Sequence, residues 1–88
     1  MQRDGIKISV IGGGAFGTAM ATMAARAGHD VHLYVRDENQ ANAINTTRKN
    51  PKYLTEFQLH ESISASTDMI AVLNGALLVI LSIPAQTV

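Results

Sequence analysis

Cysteine is absent from the 88 residues, which excludes disulfide staples and thiolate-ligated metal. An excess of charge of one sign is also missing, since seven Lys plus Arg offset seven Asp plus Glu. No basic cluster is longer than Arg48-Lys49, so a nucleic-acid partner held through its phosphates is not expected. Long hydrophobic runs are missing too. The first apolar stretch, Ile6 to Ile11, is too short for a signal-peptide core, and no run approaches the ~20 residues of a membrane span. A soluble, cytoplasmic chain is the expectation. His29, His32 and His60 lie far apart without metal-ligand spacing, so no metal site is expected. Ser9, Ser64 and Ser82 lack a nucleophile elbow, and no carboxylate pair suggests glycosidase chemistry. The length suits one small domain, which buries only about 60–65% of its unfolded surface.

What is present is glycine in one place. Gly12-Gly13-Gly14-Ala15-Phe16-Gly17 follows an apolar strand-like run and opens an Ala-rich amphipathic stretch, the context in which G-x-G-x-x-G binds a dinucleotide. Gly12 permits the tight strand-to-helix turn, Gly14 lets a pyrophosphate approach the backbone, and Gly17 lets the helix pack closely on the strand. The phosphates would meet unpaired N–H groups at the positive end of the helix dipole, so no lysine is needed beside them.

Ile6 to Ile11 reads as a central strand. Phe16, Ala19, Met20, Met23, Ala24 and Ala27 fall on one stripe of a helix that Gly28 ends, with Met20 and Met23 as core filler and Thr18, Thr22 and Arg26 facing outward. Val31 to Val35 is a second strand. Asp37 offers an N-cap to a short helix over residues 38–46, with Gln40 completing a variant capping box. Asn50-Pro51 breaks that helix, and residues 49–61 read as an ordered loop. Ser62 to Ser66 forms a short third strand, followed by a helix over residues 68–74 capped by Ser66 or Thr67 and closed by Gly75. Ala76 to Ile83 is almost continuously apolar, the pattern of a parallel strand buried on both faces, and Pro84 stops it.

The order βαβαβαβ defines an α/β fold of Rossmann type, the N-terminal portion of a doubly wound parallel sheet. Right-handed crossovers place the strands 3-2-1-4. The most hydrophobic strand then lies at an edge, which invites aggregation and suggests that residues 1–88 are a truncated dinucleotide-binding domain. An acid after the second strand would bind the ribose hydroxyls of NAD, whereas arginine accommodates the 2′-phosphate of NADP. Arg36 holds that place, which favours NADP, while the adjacent Asp37 could instead bind a ribose hydroxyl and repel the phosphate.

Four segments carry a closer likeness: Ile11 to Ala19, Val31 to Asp37, Asn50-Pro51-Lys52-Tyr53-Leu54, and Ile63 to Asp68 continuing through Leu77 to Pro84. With them the chain resembles the N-terminal part of NAD(P)-dependent glycerol-3-phosphate dehydrogenase. The resemblance implies hydride exchange between NAD(P)H and dihydroxyacetone phosphate, giving sn-glycerol 3-phosphate for phospholipid synthesis. It implies cofactor contacts from Ala15 and Phe16, where bacterial members often have Ser-Trp, from Arg36 and Asp37 at the adenosine end, and from Tyr53. Ile83 and Pro84 match the turn near the nicotinamide. Thr55 stands where the family often has proline. The resemblance also implies a downstream lysine for proton donation, a largely helical domain for the substrate phosphate, and a homodimeric parent. No catalytic residue is therefore expected here, and Lys49 and Lys52 are assigned no chemistry. Another dehydrogenase with the same N-terminal half, or a non-catalytic NAD(P)-sensing domain, is the alternative.

Overall fold

The computed structural model describes residues 5–52 and 58–82. Its elements run β1 (Lys7–Ile11), α1 (Ala15–Arg26), β2 (Asp30–Tyr34), α2 (Glu38–Thr47), β3 (Ile63–Ser66), α3 (Met69–Leu73) and β4 (Leu78–Leu81). The strands form one sheet in the order β3-β2-β1-β4, and every pairing is parallel. This is the predicted 3-2-1-4 arrangement.

Register explains the two faces of the sheet. Ile8 pairs with Val31 and Val31 with Ile63, while Val10 pairs with Leu33 and Leu33 with Ala65. Because paired residues in a sheet share a face, these side chains form one apolar layer, and Ala21 and Ala25 of α1 and Ala41 and Ile44 of α2 close over it. Burying each of Leu33, Ile44 and Ile63, all under 2% exposed, contributes about 1.5–3 kcal/mol. The opposite face carries Ser9, His32 and Ser64 and is less apolar. There α3 packs over β2 and β3 and is fastened to β1 by Ser9 Oγ donating to the Val72 carbonyl and by Lys7 Nζ donating to the carbonyls of Ala71 (3.1 Å) and Asn74 (2.6 Å).

The face that α1 turns to the sheet differs from the predicted stripe. Its buried residues are Gly17, Thr18, Ala21 and Ala25, while Phe16 and Met23 are 64% and 65% exposed. The cause is close approach: a Cβ on Gly17 would collide with the Gly12 carbonyl oxygen, so the smallest side chains, four residues apart, must face the sheet. Met23 is thus not core filler, and Thr18 points inward to a polar partner described below.

Two caps also differ. Asp68, not Ser66 or Thr67, caps α3, accepting from the amides of Ile70 and Ala71 at 3.1 and 3.2 Å. Ser66 Oγ instead accepts from the Asp68 amide. Asp37 caps α2 as predicted, accepting from the Asn39 amide at 2.8 Å, but Gln40 does not complete a capping box because its amide is drawn into the interior. At the other end of α2, Arg48 adopts a left-handed conformation, φ 63°, and its guanidinium donates to the carbonyls of Ile44, Glu61 and Ile63. That staple ties the helix end to β3.

At the edge, β4 is a strand but not a buried one. Leu78 and Leu81 are 47% and 66% exposed, against the expectation of burial on both faces, because the strand has a neighbour on one side only among the described residues.

Candidate functional site

The carboxyl ends of β1, β2 and β4 converge on the glycine turn. There β1 stands between β2 and β4, so the chain crosses over the sheet in opposite directions on its two sides. Such a switch point leaves a crevice beyond the strand ends. An open cavity of about 550 Å³ fills it, lined by Ile11 to Gly14, Tyr34 to Asp37, Gln40, Lys52 and Ser82. Its size is that of ordinary ligand sites.

Each glycine of the turn has its own steric reason. Gly12 has φ 119°, in the region that favours glycine, and its amide extends the ladder to the Tyr34 carbonyl at 3.0 Å. A Cβ on Gly13 would crowd the Val35 side chain and the Gln40 amide. Gly14 differs, since nothing lies within 4 Å of where its Cβ would be. This residue lines the cavity. Gly14 is also the N-cap of α1, with no side-chain cap bond and no acid in the first turn. The leading N–H groups of a helix of 12 residues therefore meet the cavity without a competing carboxylate, a setting that fits an anionic pyrophosphate.

A buried polar hub holds this turn. Asn50, 0% exposed, donates through Nδ2 to the Gly13 carbonyl at 3.0 Å and to Thr18 Oγ1 at 2.9 Å. Its Oδ1 accepts from Gln40 Nε2 and from the Lys52 amide, both at 3.0 Å. Gln40 Nε2 reaches the same Gly13 carbonyl at 3.1 Å. One side chain thereby joins the glycine turn, α1, α2 and the loop after α2.

Charge gathers at the mouth of the cavity. Arg36 is exposed there. Asp37 uses Oδ1 for the Asn39 amide and Oδ2 for Lys52 Nζ at 2.9 Å. The Lys52 ammonium, followed by the Asn39 amide, holds the Asp37 carboxyl below its ordinary pKa.

The description "NAD-dependent glycerol-3-phosphate dehydrogenase N-terminus" matches residues 7–88. The chain belongs to this family. Among its curated relatives, a glycerol-3-phosphate dehydrogenase (NAD(P)+) of Brucella canis is 54% identical over 80 residues, covering 91% of this chain and 24% of the relative. One from Corynebacterium aurimucosum is 49% identical over the same length and coverage. Among solved structures, a glycerol-3-phosphate dehydrogenase of Coxiella burnetii superposes with TM-score 0.81 at 27% identity, covering 88% of this chain and 24% of that one. The Saccharomyces cerevisiae enzyme gives 0.82 at 26% identity, covering 91% and 26%. The chain thus spans about a quarter of the length of the curated relatives it matches.

The predicted site residues do not all meet. Gly12, Gly14, Arg36 and Asp37 line the cavity. Ala15 and Phe16 sit exposed on the first turn of α1 beside it. Gly17 is buried under the Gly12 carbonyl, where it sets packing instead of lining the cavity. Tyr53, Ile83 and Pro84 lie outside the described residues. Sequence reasoning passed over Gly13, Gln40, Asn50 and Lys52. A helix-breaking pattern gives no sign that Asn50 holds the glycine turn, nor does a loop position show that Lys52 lines the cavity. His29, His32 and His60 have local roles: His29 Nδ1 accepts from the Ile6 amide, His60 Nδ1 from the Ser62 amide, and His32 sits beside Asp30.

Proposed function

We propose that this chain is the cofactor-binding part of a glycerol-3-phosphate dehydrogenase that interconverts dihydroxyacetone phosphate and sn-glycerol 3-phosphate by hydride transfer with NAD(P)H. The observation that carries the reading is the open space at Gly14, a residue that both lines the crevice and stands at the start of α1 without a side-chain cap. The pyrophosphate binds there. Arg36 takes the adenosine end with Asp37, and its guanidinium favours NADP, since a charge-assisted bond to phosphate contributes roughly 1.5–3 kcal/mol. Ala15 and Phe16 flank the cofactor at the helix start, and the family likeness implies further cofactor contacts from Tyr53, Ile83 and Pro84, which lie outside the described residues. Residues 1–88 act as the dinucleotide-binding domain. Proton donation and the grip on the substrate phosphate come from a lysine and a largely helical domain outside these residues, in a homodimer that works in the cytoplasm and supplies phospholipid synthesis.

The test uses the full-length protein. Oxidation of NADPH by dihydroxyacetone phosphate is expected, with NADPH bound more tightly than NADH. Replacing Arg36 with alanine is expected to erase that difference. Cofactor binding without turnover would favour a sensing domain instead, and equal affinities in the unmutated protein would refute the NADP preference.

A further inference from the structure

The ion pair between Lys52 and Asp37 stands where cofactor charge is read, and its value is not in stability. At the cavity mouth Arg36 and Lys52 are cationic and Asp37 anionic. The two partners of the pair keep 50% and 36% of their side-chain surface exposed, and pairs so solvated add little to folding. What the pair does change is the charge presented to a ligand. Asp37 by itself is the acid that would repel a 2′-phosphate and cancel the attraction of Arg36. With Oδ2 on Lys52 and Oδ1 on the Asn39 amide, both carboxylate oxygens are engaged and the charge is neutralised by its neighbour.

Lys52 is not placed there by chance contact of a long side chain. Its own amide donates to Asn50 Oδ1 at 3.0 Å, and Asn50 is clamped to the Gly13 carbonyl and Thr18. The residue that sets charge at the adenosine end is thus anchored to the turn at the phosphate end.

We propose that Lys52 is a specificity-determining residue, which permits a 2′-phosphorylated cofactor by cancelling the charge of Asp37. This rests on the dinucleotide reading above. Removal of Lys52 leaves a bare carboxylate facing the phosphate. One uncompensated charge against a dianion across a solvated contact corresponds to about tenfold in affinity. NADH, lacking that phosphate, is spared. The selectivity also declines with salt, because the charges are exposed.

The experiment measures NADPH and NADH dissociation constants of the full-length protein and of K52Q, K52R, D37N and the K52Q/D37N double variant, with thermal melts as a folding control. K52Q is expected to weaken NADPH about tenfold and NADH less than twofold. K52R is expected to retain NADPH binding, and D37N introduced into K52Q to recover most of what was lost. An equal loss for both cofactors would make Lys52 a mere support of the loop and overturn the proposal. An unchanged NADPH affinity in K52Q would overturn it as well. Failure of D37N to rescue would assign Lys52 to direct phosphate contact, contrary to the role stated here. Equal NADPH and NADH affinities in the unmutated protein would refute the NADP preference alone, and Lys52 would still stand or fall on the selective loss in K52Q. Absence of binding for both cofactors would remove the dinucleotide reading and the proposal together.

Discussion

Replacing Asn50 with alanine tests whether the glycine turn is held from outside itself. Among the described residues, four hydrogen bonds disappear with the side chain: to the Gly13 carbonyl, Thr18 Oγ1, Gln40 Nε2 and the Lys52 amide. The groups left behind fare unequally. The Gly13 carbonyl keeps Gln40 as a donor, and the Lys52 amide lies near solvent on an exposed residue. Gln40 Nε2 keeps that Gly13 carbonyl in turn, whereas Thr18, at 0% exposure, has no such recourse. Stranding a buried polar group costs about 1–3 kcal/mol, and each further lost bond about 1 kcal/mol. With Thr18 stranded and three further bonds lost, the expected destabilisation is roughly 4–6 kcal/mol, a large part of what a small domain possesses. Asn50→Asp is the sharper probe. It keeps an acceptor for Gln40 and Lys52 but sets a carboxylate oxygen where an amide donated to the Gly13 carbonyl, so the turn is repelled rather than held. Urea unfolding of the full-length protein, followed with and without NADPH, reads both effects. Both variants are expected to lose stability, and Asn50→Asp to lose NADPH affinity by at least as much as Asn50→Ala. A stability change under ~0.5 kcal/mol in Asn50→Ala, the range of an ordinary surface substitution, would refute the reasoning.

The glycines separate folding from binding. Gly14→Ala meets nothing within 4 Å and has an ordinary φ of −77°, so unfolding is expected to change by only a few tenths of a kcal/mol, while titration shows cofactor affinity falling at least tenfold as the methyl enters the pyrophosphate's space. Gly17→Ala drives a methyl into the Gly12 carbonyl and is expected to cost about 1–3 kcal/mol in a denaturant melt; a neutral Gly17→Ala would contradict the close approach of α1 and β1. For acid, Asp37 has its pKa lowered from 3.8 in the folded chain by Lys52 and then Asn39. Its contribution is therefore complete above that ordinary value and is lost as pH falls through the lowered one. Asp37→Asn should flatten that part of the acid limb in melts taken at stepped pH, and an unchanged limb would argue against the ion pair in solution.

The strands were legible because each carries its own signal: β-branched and apolar residues bounded by glycine or a polar break. Their order followed from crossover handedness, which needs no side-chain detail. The face of α1 was not legible from hydrophobicity, which places methionine and phenylalanine inward. Distance decided it instead, for a helix this near the sheet turns Gly17, Ala21 and Ala25 toward it, with Thr18 buried beside them on a polar partner. The repeat of small residues every four positions held that information, but only a steric criterion extracts it. Gln40 and Asp68 were misread for a related reason. A capping pattern describes what a side chain can do locally, whereas Gln40 found a buried partner in Asn50, outside any local window. Lys52 was opaque because its meeting with Asp37 depends on the path of the loop, and no periodicity encodes a path.

That path is where the two chemical ends of the cavity become one structure. The turn contributes partial charge through backbone groups, which cannot be altered by substitution without altering shape. The mouth contributes full charges on Arg36, Asp37 and Lys52, which substitution changes freely. Asn50 bonds to both, holding the Gly13 carbonyl with its amide and the Lys52 backbone with its oxygen. A shift of the loop therefore moves a cation relative to Asp37 and at the same time loosens a donor from the turn. For this reason phosphate affinity and selectivity for the 2′-position are not independent in this fold. Substitutions confined to charged side chains at the mouth change selectivity alone, whereas those that reach Asn50 change both.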